Sequence, residues 1–120
     1  MPDTLAKRAP DPLALDVVRE LKARLRRRFG DRLVAVYLFG SRARGDHRPD
    51  SDADVAVFLQ GDLPDPFDAE KAIVEDGFDL FLERGLYIQP WAFEERVLSN
   101  PERARLPRLQ RSVLAEGVPV

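Results

Sequence analysis

Residues 33–59 read LVAVYLFGSRARGDHRPDSDADVAVFL, two apolar runs either side of a polar stretch. The first run, Leu33 to Phe39, is mostly β-favouring and too short for an independent helix, so it predicts a buried strand. The second, Ala53 to Leu59, predicts another. Between them, Gly40 to Ser51 has the glycine, proline and mixed charge of a loop. Gly40-Ser41 thus follows directly on a buried strand, where ligands of α/β sheets tend to bind. Gly40 carries no Cβ, so its backbone can approach a phosphate closely. If Ser41 opens a short helix, its hydroxyl and the free N–H groups there form an anion site. Arg42 and Arg44 add positive charge suited to bidentate phosphate contact.

Asp52 and Asp54 stand two apart at the entrance of the second strand, which predicts carboxylates on one side of it. Two like charges beside an apolar strand are expensive to bury unless a cation lies between them. Mg²⁺ is typically held by one or two carboxylates together with substrate phosphates. The pattern points to metal-assisted phosphoryl or nucleotidyl transfer.

N-terminal to this stretch, Asp11 is placed to cap a helix with Pro12 at its first position. Leu13, Val17, Leu21 and Leu25 give that helix an apolar stripe, widened by Val18 and Phe29. Arg24, Arg26, Arg27 and Arg28 crowd its last turn, where cations complement the helix dipole, and Gly30 ends it. Beyond the second strand, Gly61 to Pro66 is a turn and Phe67 to Arg84 a helix weakened by Gly77. Leu86 to Trp91 predicts a third strand, with Pro90 marking an edge. Phe93 to Leu98 predicts a short helix, and an amphipathic segment follows Pro101 through Leu114. The expected fold is α/β: a small mixed sheet of three to four strands covered by helices. Residues 1–10 read as a flexible lead-in and 11–120 as one domain.

The 120 residues suit one ordinary domain, and 44% hydrophobic content supports a single core. A net charge of −2 argues against a dedicated nucleic-acid binder, so no direct nucleic-acid contact is expected. Residues 1–60 carry 12 Lys/Arg against 9 Asp/Glu, whereas 61–120 carry 7 against 12, which favours a phosphate site in the first half. With no cysteine, disulfides and thiolate metal sites are excluded. No apolar stretch approaches the ~20 residues of a membrane span, and a cytoplasmic location is the default expectation. His47 reads as an exposed loop residue, and the arginines at 24–28 as a solvated helix end. Glu75, Asp79 and Glu83 fall on one helical face and read as a solvated stripe or one facing a basic partner. Trp91 and Phe93 read as core or edge packing.

Gly40-Ser41, ten intervening residues and then Asp-x-Asp resemble the signature of the DNA polymerase β-like nucleotidyltransferase superfamily. The flanking strands LVAVYLFGS and DADVAVFL look like that superfamily's as well. Similarity is strongest to its minimal nucleotidyltransferases, small chains often paired with a HEPN-domain protein. It is strong over roughly residues 30–60 and looser elsewhere, including a closing EGVPV. The resemblance implies a polymerase β-like core in which Gly40 and Ser41, with Arg42 beside them, bind the nucleotide. Asp52 and Asp54 would be the catalytic, Mg²⁺-binding acids. Many members carry a third acid on a later strand; the expected third strand here has none, and Glu83 and Glu94 flank it. The implied activity is transfer of AMP from ATP to a tyrosine hydroxyl of a partner HEPN RNase toxin, as an antitoxin. The alternatives are a nucleotide-binding antitoxin that neutralises its partner by binding alone, and a nucleotidyltransferase acting on a small molecule. Homo- or hetero-oligomers fit either antitoxin reading.

Overall fold

A computed structural model describes residues 9–100 and 106–120, so most of the expected lead-in over 1–10 lies outside the described residues. Helix α1, Pro12–Phe29, starts as its sequence dictates: the Asp11 carboxylate accepts from the N–H groups of Leu13 and Ala14, and Pro12 occupies the first turn. Strand β1, Leu33–Phe39, leads into a four-residue helix α2, Ser41–Arg44. Strand β2, Ala53–Leu59, is followed by helix α3, Pro66–Arg84, capped by Asp65. Strand β3, Ile88–Glu94, a 3₁₀ turn over Glu95–Leu98, helix α4, Pro107–Glu116, and a two-residue strand β4, Val118–Pro119, complete the order.

The four strands form one mixed sheet in the order β3-β2-β1-β4. β1 runs antiparallel to β2 and β4, and β2 parallel to β3. The α3 crossover is what permits that parallel pair. Pro90 sits on β3, an edge strand, as a residue without an N–H requires. β3 itself lies later than expected. Its seven residues pair one for one with the seven of β2, Ile88 with Ala53 through Glu94 with Leu59, so pairing carries the strand past Trp91. The short helix expected from Phe93 shrinks to the 3₁₀ turn.

Strand alternation divides the sheet into two unlike faces. One packs Val36, Leu38, Val55, Val57, Leu59, Ile88 and Ala92 against Val17, Leu21, Leu25, Ile73 and Leu80 of the long helices. Gly77 serves this contact: a Cβ there would come within 3.2 Å of Ile88, so α3 accepts a weak helix former to lie close on β3. The other face gathers Phe39, Ala56, Phe58 and Phe93 with Val97 and Val113. Phe58 stacks on Phe93 at 5.3 Å between ring centroids and meets Tyr37 edge-on at 5.7 Å.

The basic end of α1 and the acidic stripe of α3 find each other rather than solvent alone. Arg28 grips Asp76 with two bonds of 2.9 and 2.8 Å, and Arg24 lies 3.9 Å from Asp79 and 3.7 Å from Glu83. These pairs are partly exposed and contribute little individually. They lie along the flank of α3 that faces α1.

Candidate active site

The second face becomes polar at one end. In register across the sheet, Asp54 lies between Phe39 on β1 and Gln89 on β3. The next row inward is Tyr37, Ala56 and Trp91, and the one after it Ala35, Phe58 and Phe93. A hydrophobic floor therefore rises to a single half-buried carboxylate at the mouth of the sheet. Asp52, exposed, precedes β2 and lies close enough to raise the proton affinity of Asp54.

Gly40 closes this mouth. It holds φ of 75°, and a Cβ on it would stand 3.2 Å from Cγ of Asp54 and closer still to its Oδ2. Only glycine satisfies both the backbone conformation and the space. The turn it makes starts α2 at Ser41, as expected, and the first N–H groups of any helix have no intrahelical acceptor. Gly40, Ser41, Asp52 and Asp54 are thus brought together at one end of the sheet.

Burial is the largest influence on the Asp54 carboxyl and pushes it above the usual carboxylate range, and repulsion from Asp52 adds to this. The indole N–H of Trp91 and the charge of Arg44 oppose the shift. Nε1 of Trp91 is buried and closes no well-formed hydrogen bond, so it acts on Asp54 as a nearby dipole rather than as a bonded donor. A carboxylate pair that repels itself and is partly stripped of water is a fitting place for a divalent cation. No cluster of three metal-ligating side chains occurs among the described residues. Asp52 and Asp54 would hold Mg²⁺ with the remaining positions filled by phosphate and water.

The site face of β3 offers Gln89, Trp91 and Phe93, and no acid. The longer strand does end on Glu94, but that residue pairs with Leu59 at the opposite end of β2 and alternates onto the other face. Its carboxylate accepts from the N–H of Leu63, which holds it below its usual range, and also pairs with Arg96. Glu83 is occupied with Arg24 on the outer side of α3. Neither acid reaches Asp54.

Arg42 departs from its expected place. Its side chain is only 5% exposed, and its guanidinium is taken up by three oxygens. Nη1 pairs with Asp11, Nε donates to the Ser51 carbonyl at 2.8 Å, and Nη2 to that of Pro49 at 3.2 Å. The Asp11 N–H returns a bond to the Arg42 carbonyl at 2.8 Å. Arg42 is therefore a clamp that ties the start of α1 to the loop delivering Asp52, and its charge is spent on Asp11 instead of a phosphate. Burial works against the Asp11 carboxylate, but hydrogen bonds from Arg42 and the Leu13 N–H outweigh it and hold the group below its ordinary range. His47 is less exposed than expected: its Nε2 lies 3.7 Å from Asp11 and its Nδ1 is buried without a partner.

Arg44, one helical turn beyond Ser41, is an accessible cation, with 46% of its side chain exposed. Its Nε donates to Asp46 at 3.1 Å and its Nη1 to Glu116 of α4 at 3.0 Å. Gln89 and Glu116 are site neighbours that the sequence does not single out, and Trp91, expected as core or edge packing, is a third.

The described helices include none long and apolar enough to cross a membrane. Among solved structures, a toxin–antitoxin with AMP-PNP superposes with a TM-score of 0.56 at 21% identity, over 83% of this chain and 69% of that one. A toxin–antitoxin MntA-HpeT variant matches with a TM-score of 0.55 at 19% identity, over 82% and 68% of the two chains. At such identities the likeness is one of fold alone. No curated protein matches the chain. The sequence profile of the nucleotidyltransferase domain matches residues 18–117, from the middle of α1 to the residue before β4. That span takes in Gly40-Ser41, Asp52 and Asp54 with the sheet that gathers them, and the chain belongs to the nucleotidyltransferase domain family.

Proposed function

We propose that residues 11–120 form one Mg²⁺-dependent nucleotidyltransferase domain that acts as an antitoxin, transferring AMP from ATP to a tyrosine hydroxyl of a partner HEPN RNase. The observation that carries the reading is the gap over Gly40 filled by the Asp54 carboxylate, with Asp52 beside it. The Ser41 hydroxyl and the first N–H groups of α2, those of Ser41 and Arg42, hold the triphosphate, since the N–H groups of Ala43 and Arg44 donate to the Gly40 carbonyl, and Asp52 and Asp54 hold the metal. The phosphate-contacting cation is Arg44 in place of Arg42. When bound, Mg²⁺ neutralises triphosphate charge and orients it. The acceptor oxygen bonds to the α-phosphorus, the bond to pyrophosphate breaks, and the hydroxyl proton leaves to solvent. The products are an AMP phosphodiester on the acceptor and pyrophosphate.

A macromolecular acceptor fits a chain whose described residues are used up by the sheet and its covering helices. The toxin–antitoxin character of the two fold neighbours supports a protein partner of that kind. A second reading rests on the site face of β3, where Gln89 and Trp91 stand and no acid does. In it the chain binds nucleotide and silences its partner by occlusion.

One experiment separates the two. The chain, its partner and α-labelled ATP are incubated with Mg²⁺, and label on the partner is followed. Asp52→Asn and Asp54→Asn are each expected to lower labelling at least ~100-fold, because each removes a ligand charge from the metal. If both variants neutralise the partner as well as the unmodified chain does, occlusion is the mechanism and transfer is not.

A further inference from the structure

We propose that Glu116 is a positioning residue of the nucleotide site, holding Arg44 beside Gly40-Ser41 so that its guanidinium meets the triphosphate. The inference rests on the nucleotide-binding reading above. β4 pairs Val118 with Leu38 on the flank of β1 opposite to β2 and its Asp54, and Glu116 ends the helix that leads into β4. From there it bonds Nη1 of Arg44 at 3.0 Å while Asp46 bonds Nε at 3.1 Å. A guanidinium is a rigid planar fork. Two carboxylates on two of its corners fix its plane and leave Nη2 with no partner among the described residues.

Glu116 also stands where local chemistry disfavours it. It is the last residue of α4, at the negative end of the helix dipole, and the last turn carries no basic residue. A residue that breaks a local rule tends to be kept for a site. A cavity of about 530 Å³ opens beside the pair, lined by Pro10, Ala43 and Val118 as well as by Arg44 and Glu116. The pair thus sits at accessible surface, within reach of an incoming anion.

Simple charge repulsion makes the opposite prediction, because removing a carboxylate near a triphosphate should tighten binding. The test is a calorimetric titration of the full chain with Mg²⁺ and AMP-PNP, comparing Glu116→Gln, Arg44→Ala and the double variant. Positioning predicts about fivefold weaker binding for E116Q, the scale of a partly exposed ion pair. It predicts no further loss when E116Q is added to R44A. The melting temperature of E116Q should hold or rise slightly, since a charge leaves an unfavourable helix end. Unchanged or tighter binding by E116Q overturns the proposal, and so does an equal loss in the R44A background. A chain that binds no AMP-PNP in unmodified form overturns the functional reading and this inference together. Binding by the unmodified chain with an indifferent E116Q overturns this inference alone.

Discussion

Strand β2 has one sequence and two kinds of neighbourhood. Its odd-numbered residues, Ala53, Val55, Val57 and Leu59, are fully buried under α1 and α3. Its even-numbered residues change along the strand, from the half-buried Asp54 through Ala56 to Phe58 sealed in an aromatic stack. The first face is uniform, and burial of apolar surface holds it together. The second is graded, and its polar end is costly to the fold. The same backbone is scaffold on one side and site on the other, so stability and chemistry should respond separately to substitution.

The sharpest break comes at the clamp joining the helix layer to the site loop. Arg42→Ala leaves Asp11 buried without its cation, and breaking such a pair costs about 3–5 kcal/mol. Chemical denaturation should show that loss together with weaker nucleotide binding, because the loop before Asp52 is released. Next is the uniform face. Leu21→Ala opens a cavity at a fully buried position and should cost about 2–5 kcal/mol. The fraction still folded should bind AMP-PNP with unchanged affinity; weakened binding would mean that the two faces are not separable.

The smallest effect has the opposite sign. Fold and burial raise the Asp54 carboxyl above its ordinary value, so its ionised form is less favourable folded than unfolded. That cost is present above the folded pKa and disappears as pH falls through it. Asp54→Asn should therefore slightly stabilise the metal-free chain at neutral pH, with the gain fading on acidification. Asp11 runs the other way: its lowered carboxyl stabilises the fold above the ordinary carboxylate range, and that support is lost as pH falls through its folded value. Thermal melts of D54N against the unmodified chain from pH 7 to pH 4 check the sign.

Local signals were enough where an element is decided by its own residues. β1 and β2 begin and end where their apolar runs do, and α1 starts at the Asp11 cap. Gly40, Ser41, Asp52 and Asp54 meet because two strands and one turn suffice to bring them together. What escaped was set by partners distant in sequence. Arg42 looked like a phosphate ligand beside Ser41, and only the fold reveals Asp11, 31 residues away, already on it. Sequence alone places β3 too early because its limits come from pairing with β2, not from its own composition. β4, of two residues, is too short to leave a periodicity. Glu116 did leave a trace, an acid closing a helix where a base is preferred, but its meaning needed Arg44 in view.

The bond between Arg44 and Glu116 also imposes an order in time. Glu116 lies 72 residues after Arg44 in the chain. At ~5–20 residues per second, synthesis delivers it roughly 4 to 14 s later. Once β2 has been made, and until Glu116 follows, a nascent chain can hold Gly40, Asp52 and Asp54 on paired strands while Arg44 lacks one of its two anchors. Full affinity for nucleotide would then wait for α4, and a chain stopped short of it would carry the acids without the grip.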